Sequence, residues 1–159
     1  YVLADCSRIG TPDEWGSAAV DAYLLFEADA IIGEVNNGGE MVGAIIRNVA
    51  KDRKLKHIAY RAVRATRGKQ LRAEPVSSLY QRGLVHHCGC FPDLEDQQCN
   101  WVPGEKSPDR LDACVWGLTD LMIEEKESGG VLIAPLEDDV QQSYAGDVLS
   151  AWSANSLEW

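Results

Sequence analysis

The 159-residue chain has no apolar run near the roughly 20 residues that a membrane-spanning helix needs, so no membrane segment is expected. Its first residues, Tyr1-Val2-Leu3-Ala4-Asp5, show no basic-then-apolar leader pattern and no initiator Met. They read as the interior of a strand, and the chain is expected to be a fragment. No segment repeats. There is neither a Walker A run nor a GxGxxG fingerprint, so no nucleotide-binding loop is expected. The five cysteines (Cys6, Cys88, Cys90, Cys99, Cys114) are odd in number and follow no secretion signal. They are expected to be reduced cytosolic thiols.

Hydrophobic residues make up 45% of the chain and charged residues 25%, a balance ordinary for one globular domain with a sizeable core. The net charge of −10 argues by itself against a polyanionic partner. Its distribution argues the other way. Between Arg47 and Arg72 lie ten basic residues and one acid, Asp52. That segment is therefore +9 and the rest of the chain −19. A segregated basic stretch in an acidic protein can be an electrostatic footprint for a polyanion or a solvated, mixed-sign face.

Alternating signals predict strands and helices in turn. Val2–Asp5 reads as a strand. Thr11-Pro12-Asp13-Glu14 opens a helix with a capping box and Pro at the first position, and Trp15, Ala18, Ala19, Ala22, Tyr23 and Phe26 are expected to face its core. Ala30–Val35, apolar on both faces, reads as a central strand, with a turn at Asn36–Gly39 and a helix over Met41–Val49. Further strands are expected at Ile58–Val63 and Leu84–His87. A helix is expected over Pro75–Arg82, ended by Gly83, and a helical turn over Pro92–Cys99. Ser107 caps the last predicted helix and Pro108 opens it. Its buried stripe is Leu111, Val115, Leu118 and Leu121-Met122. The chain divides into a domain over 1–127 and an acidic, partly irregular tail over 128–159. The pattern is α/β with a largely parallel sheet.

Three carboxylates stand out. Glu34 ends an inner strand, at the sheet edge where α/β folds bind ligands. Asp109 and Asp112 share one face of a helix's first turns. The favourable helix dipole is a sufficient structural reason for Asp109. Asp112 precedes Ala113-Cys114-Val115 on an inward-packing helix and needs a partner, for which a divalent cation is one choice.

The segments Gly10-Thr11-Pro12-Asp13-Glu14-Trp15 and Ala28-Asp29-Ala30-Ile31-Ile32-Gly33-Glu34-Val35-Asn36-Asn37-Gly38-Gly39-Glu40-Met41-Val42 resemble the large terminase subunit of tailed phages. So do Arg72-Ala73-Glu74-Pro75-Val76, Val85-His86-His87, Leu94-Glu95-Asp96-Gln97 and Ser107-Pro108-Asp109-Arg110-Leu111-Asp112-Ala113. The resemblance spans roughly residues 1–125 and rests on the order of these motifs. It points to the C-terminal nuclease domain, with the ATPase motor outside the matched stretch. It implies a ribonuclease-H-like mixed sheet flanked by helices, N-terminally truncated here, and metal-dependent cleavage of concatemeric phage DNA during packaging. Asp-x-x-Asp-Ala is also similar to the late helix of Holliday-junction resolvases.

By this resemblance Glu34, Asp109 and Asp112 are metal-ligating and catalytic, and the cofactor is Mg²⁺ or Mn²⁺. Two such ions can activate a water and stabilise the leaving 3′ oxygen. The family's first catalytic Asp falls before residue 1, and Asp5 could imitate it. Arg64, Arg67, Lys69 and Arg72 are the expected DNA contacts, with Arg72 the best single choice. The implied partners are double-stranded DNA, the terminase ATPase domain, the small terminase subunit and the portal, in the host cytoplasm. Unpaired sheet edges would favour self-association.

The competing expectation is a catalytically inactive remnant acting as a protein-interaction or assembly module. His86-His87-Cys88-x-Cys90, with Cys99, suggests zinc, but Cys-x-Cys is tighter than the usual ligand spacing. Adjacent histidines on a strand also point to opposite faces.

Overall fold

A computed structural model of the chain describes residues 1–35, 40–106 and 108–123. They fall into two compact units, whose described parts are residues 8–64 in one and residues 1–7 with 65–123 in the other.

The unit of residues 8–64 holds α1 (Pro12–Leu25), β1 (Ile31–Glu34), α2 (Glu40–Asp52) and β2 (Tyr60–Val63). α1 opens as the sequence predicts. The Glu14 amide donates to Thr11 Oγ1 while the Glu14 carboxylate accepts from the Thr11 amide, and Pro12 takes the first position. Its buried side differs from expectation. Val20 is fully enclosed, whereas Phe26 is exposed, because the helix stops at Leu25 and Phe26 leaves the stripe as the C-cap. α2 outruns the predicted Met41–Val49 at both ends, and its Ile46 and Val49 pack with Val20 to form the core. Asp21 on α1 and Arg53, just past α2, form an ion pair that fastens the two helices.

β1 and β2 pair in parallel, with Ile31 opposite Tyr60 and Glu34 opposite Val63. β1 is less enclosed than a central strand. Gly33 is buried, but Ile31 and Ile32 are half-buried. Gly33 is required by a close approach, because a Cβ there would lie 2.8 Å from Cε2 and 2.9 Å from Cζ of Tyr60. The predicted turn at Asn36–Gly39 lies outside the described residues.

The other unit holds α3 (Lys69–Gln81), α4 (Pro92–Asn100) and α5 (Asp109–Met122). The strands expected at Val2–Asp5 and Leu84–His87 reduce to one parallel bridge, Val2 with His87. Local bonds divert the rest. The Leu84 amide turns back to Leu79 O, 3.0 Å away, and the Ser7 amide donates to the Asp5 carboxylate. α3 begins six residues before the predicted Pro75, which sits inside the helix. Gly83 ends it as predicted. With φ at +64° its amide bonds Tyr80 O while that of Leu84 bonds Leu79 O, a left-handed helix stop.

Val76 and Leu79 of α3, Val85, and Leu111, Val115 and Leu118 of α5 make this unit's core. The stripe on α5 is right as far as Leu118. Trp116 and Thr119 are buried as well, while Leu121 and Met122 are exposed. The last turn runs past the described core. Pro108 occupies the N-cap position and Asp109 is the first helical residue, one later than predicted. The predicted cap, Ser107, lies outside the described residues, as does the expected tail. Among the described residues the sheet is thus a parallel pair, smaller than the largely parallel sheet the pattern suggested and the mixed sheet the resemblance implied. No helix of the described residues is long and apolar enough to cross a membrane.

Candidate metal and nucleic-acid site

The first turn of α5 carries Asp109 and Asp112. A helix start leaves amides without intrahelical partners, and Pro108 offers no side-chain acceptor. Gln97 of α4 supplies one from outside the helix. Its Oε1 accepts from the Arg110 amide at 3.1 Å and the Leu111 amide at 3.2 Å. Asp109 is therefore not folded back as a cap. It is exposed, and its carboxylate forms no hydrogen bond or ion pair among the described residues. Asp112 is half-buried, and Lys69 Nζ lies 2.5 Å from its Oδ2. Asp112 thus has the cationic partner its position called for, and here that partner is a lysine.

Arg110, between the two carboxylates, turns the other way. Its Nε donates to Asp5 Oδ2 at 2.8 Å, and an Nη reaches Asp93 at 3.0 Å. Burial would push the Asp5 carboxyl up, but hydrogen bonds from Ser7 and Arg110 outweigh that and hold it below the usual range. Asp5 is thereby committed to the chain's own amide and guanidinium.

The four expected DNA contacts are not alike. Arg64 and Arg67 are exposed. Lys69 is the partner of Asp112. Arg72 is half-buried, with its guanidinium carbon 4.4 Å from the Trp116 ring centroid. The residue that looked the best phosphate contact is thus a cation–π packing residue between α3 and α5.

Glu34 is the last residue of β1, half-buried, and belongs to the unit of residues 8–64. Its place at the carboxyl end of a parallel strand matches the expectation. Within either unit no three described His, Cys, Asp or Glu side chains are gathered as a metal cage. α5 brings together two.

A polar network that sequence reasoning missed lies behind α5. His87 Nδ1 is 2.9 Å from Glu95 Oε1 and its Nε2 is 2.9 Å from the Tyr80 hydroxyl. Gln98 donates to that hydroxyl at 3.1 Å. Glu95 thus meets His87 Nδ1 and the Tyr80 hydroxyl meets Nε2, so both ring nitrogens have partners. Burial, with the bond to Cys114, pushes the Tyr80 hydroxyl well above the usual phenol range, and burial likewise raises the Cys114 thiol. Both His87 nitrogens are used, and His86 stacks against Tyr1. The Val85-His86-His87 and Leu94-Glu95-Asp96-Gln97 motifs were the available signals. Only folding shows that they bond to Tyr80 and to α5.

In one unit α5 starts with two acids, and in the other β1 ends with one; carboxylates are hard oxygen donors. The family comparison is more particular. A family model described as "Terminase RNaseH-like domain" matches residues 1–121, and the chain belongs to that family. No curated protein matches the chain, and neither does any solved structure.

Proposed function

We propose that this chain is the metal-dependent endonuclease domain of a phage DNA-packaging terminase, cutting double-stranded DNA with little sequence preference. The observation that carries this reading is the first turn of α5. Two of its amides that lack intrahelical partners are already served by Gln97, and the Asp109 carboxylate is spent on neither a cap nor an ion pair among the described residues. An acid left out of the fold's own bonding, one turn from a half-buried second acid, suits a hard cation.

Asp109 and Asp112 would hold the ion from α5, and Glu34 is a further ligand by the family resemblance alone. When bound, Mg²⁺ or Mn²⁺ supplies an activated water and charge stabilisation on the phosphate. The protein's own groups do the rest. Lys69 balances the Asp112 charge. Exposed Arg64 and Arg67 neutralise DNA phosphates without reading bases. Arg72, lying over Trp116, helps hold α3 on α5. The ATPase domain, small subunit and portal of the packaging complex are the protein partners this reading entails.

Cleavage of supercoiled plasmid in Mn²⁺ tests it. The parent chain should nick and linearise the plasmid, and Glu34→Ala and Asp109→Ala should each lose that activity. A well-folded parent chain that neither cleaves nor gains thermal stability with Mn²⁺ would favour the assembly-module alternative.

A further inference from the structure

We infer that Gln97 is a positioning residue for the Asp109 and Asp112 carboxylates, acting through the backbone of α5. The inference rests on the reading above, in which those acids bind a divalent cation.

The bonding around α5 is unusual for a helix start. The residue in the cap position is proline, which brings no acceptor. The two amides at the second and third helical positions instead share a single oxygen from another helix. That oxygen is well anchored. Leu94 of α4 is buried, Glu95 accepts from both His87 and the Phe91 amide, and Gln98 is bonded to Tyr80. Leu94, Glu95 and Gln98 of α4 are thus held by the core, His87 and Tyr80, which limits where the Gln97 Oε1 can sit. Arg110, whose amide Gln97 receives, is held at its other end by Asp5 and Asp93.

Asp109 precedes Arg110 and Asp112 follows Leu111, so the two bonded amides lie between the two acids. Fixing them fixes the direction in which both acids leave the helix. A side-chain cap at position 108 would serve the same amides without tying them to α4. A cap from α4 also makes the acids' placement depend on the packing of α4 against α5. Outer residues that orient metal ligands alter metal affinity by about 10–100-fold when removed.

The experiment is Mn²⁺ titration by calorimetry on the chain, paired with melting without metal. Gln97→Ala should weaken Mn²⁺ binding at least tenfold. Gln97→Glu keeps an oxygen acceptor at the same reach and should restore it. Gln97→Asn, one methylene shorter, should behave like Gln97→Ala. Asp109→Ala is the reference and should abolish binding. If Gln97→Ala melts lower yet binds Mn²⁺ like the parent, Gln97 is only a structural cap and the inference is overturned. If Gln97→Glu fails to rescue, the shared acceptor is not the cause and the inference is likewise overturned. If the parent does not bind Mn²⁺, or Asp109→Ala binds as tightly as the parent, the metal reading itself falls and takes this one with it.

Discussion

Replacing Gly33 by alanine should destabilise the unit that carries Glu34. The added methyl would sit 2.8 Å and 2.9 Å from two ring atoms of Tyr60, closer than real Cβ contacts. Tyr60 has little room to retreat, since a Cβ at Gly43 would lie only 3.0 Å from its Cε1. Forcing extra volume into such a site costs about 1–3 kcal/mol. For a protein of this size that is a melting-temperature drop of roughly 3–10 °C. Tyr60 also provides the control. Its hydroxyl is buried without a hydrogen-bond partner among the described residues, so Tyr60→Phe removes no bond and should be neutral or slightly stabilising. The added methyl would also meet the Tyr60 hydroxyl oxygen; in the double variant that contact is gone but Cε2 and Cζ remain, so rescue should be partial, with a coupling of at least about 0.5 kcal/mol. Melting followed by far-UV circular dichroism on the four proteins of the cycle is the assay. Additive effects, or a Gly33→Ala protein that melts with the parent, would refute the reasoning.

Two further predictions separate roles that the sequence merged or left open. Arg67→Glu should weaken duplex binding and flatten its salt dependence while leaving the melting temperature unchanged, whereas Arg72→Glu should cost about 1–2 kcal/mol of stability through loss of the Trp116 stack. Filter binding across a salt series, with melting alongside, checks both. Asp5 is held below its usual range in the folded chain, so its contribution to stability is full above its unfolded value of about 3.9 and is lost as pH falls through the lower folded value. Asp5→Asn should therefore cost about 1–2 kcal/mol near neutrality and melt more like the parent below about pH 3, since protonation has by then removed the same charge. Parallel melting curves at every pH would refute that assignment.

Much of the secondary structure was legible because its causes are local. Thr11 to Glu14 closes a capping box within one turn, and Gly83 ends α3 because only a residue at ease with positive φ can turn there. Spacing along α5 marked Leu111, Val115 and Leu118 as buried. Order of motifs was enough for the family. Local rules failed where a remote group intervened or a short segment lacked a partner. Pro75 reads as a helix start, yet α3 begins at Lys69, where packing of Val76 and Leu79 against α5 outweighs the missing amide. Val2–Asp5 has the composition of a strand but only one bridge with which to form one.

For the candidate site the division is sharper. Sequence by itself determined which acids to watch, Glu34, Asp109 and Asp112, because charge type and helical spacing are written in the residues. It also determined that the basic residues cluster. Tertiary structure alone decided what each one touches. Arg72 lies over Trp116, Lys69 meets Asp112, Asp5 serves Arg110, and Gln97 takes the capping role at α5. These pairings join residues 13 to 105 positions apart, or different helices. Linear spacing carries no information about them, because a hydrogen bond or a stacked ring depends on distance through space.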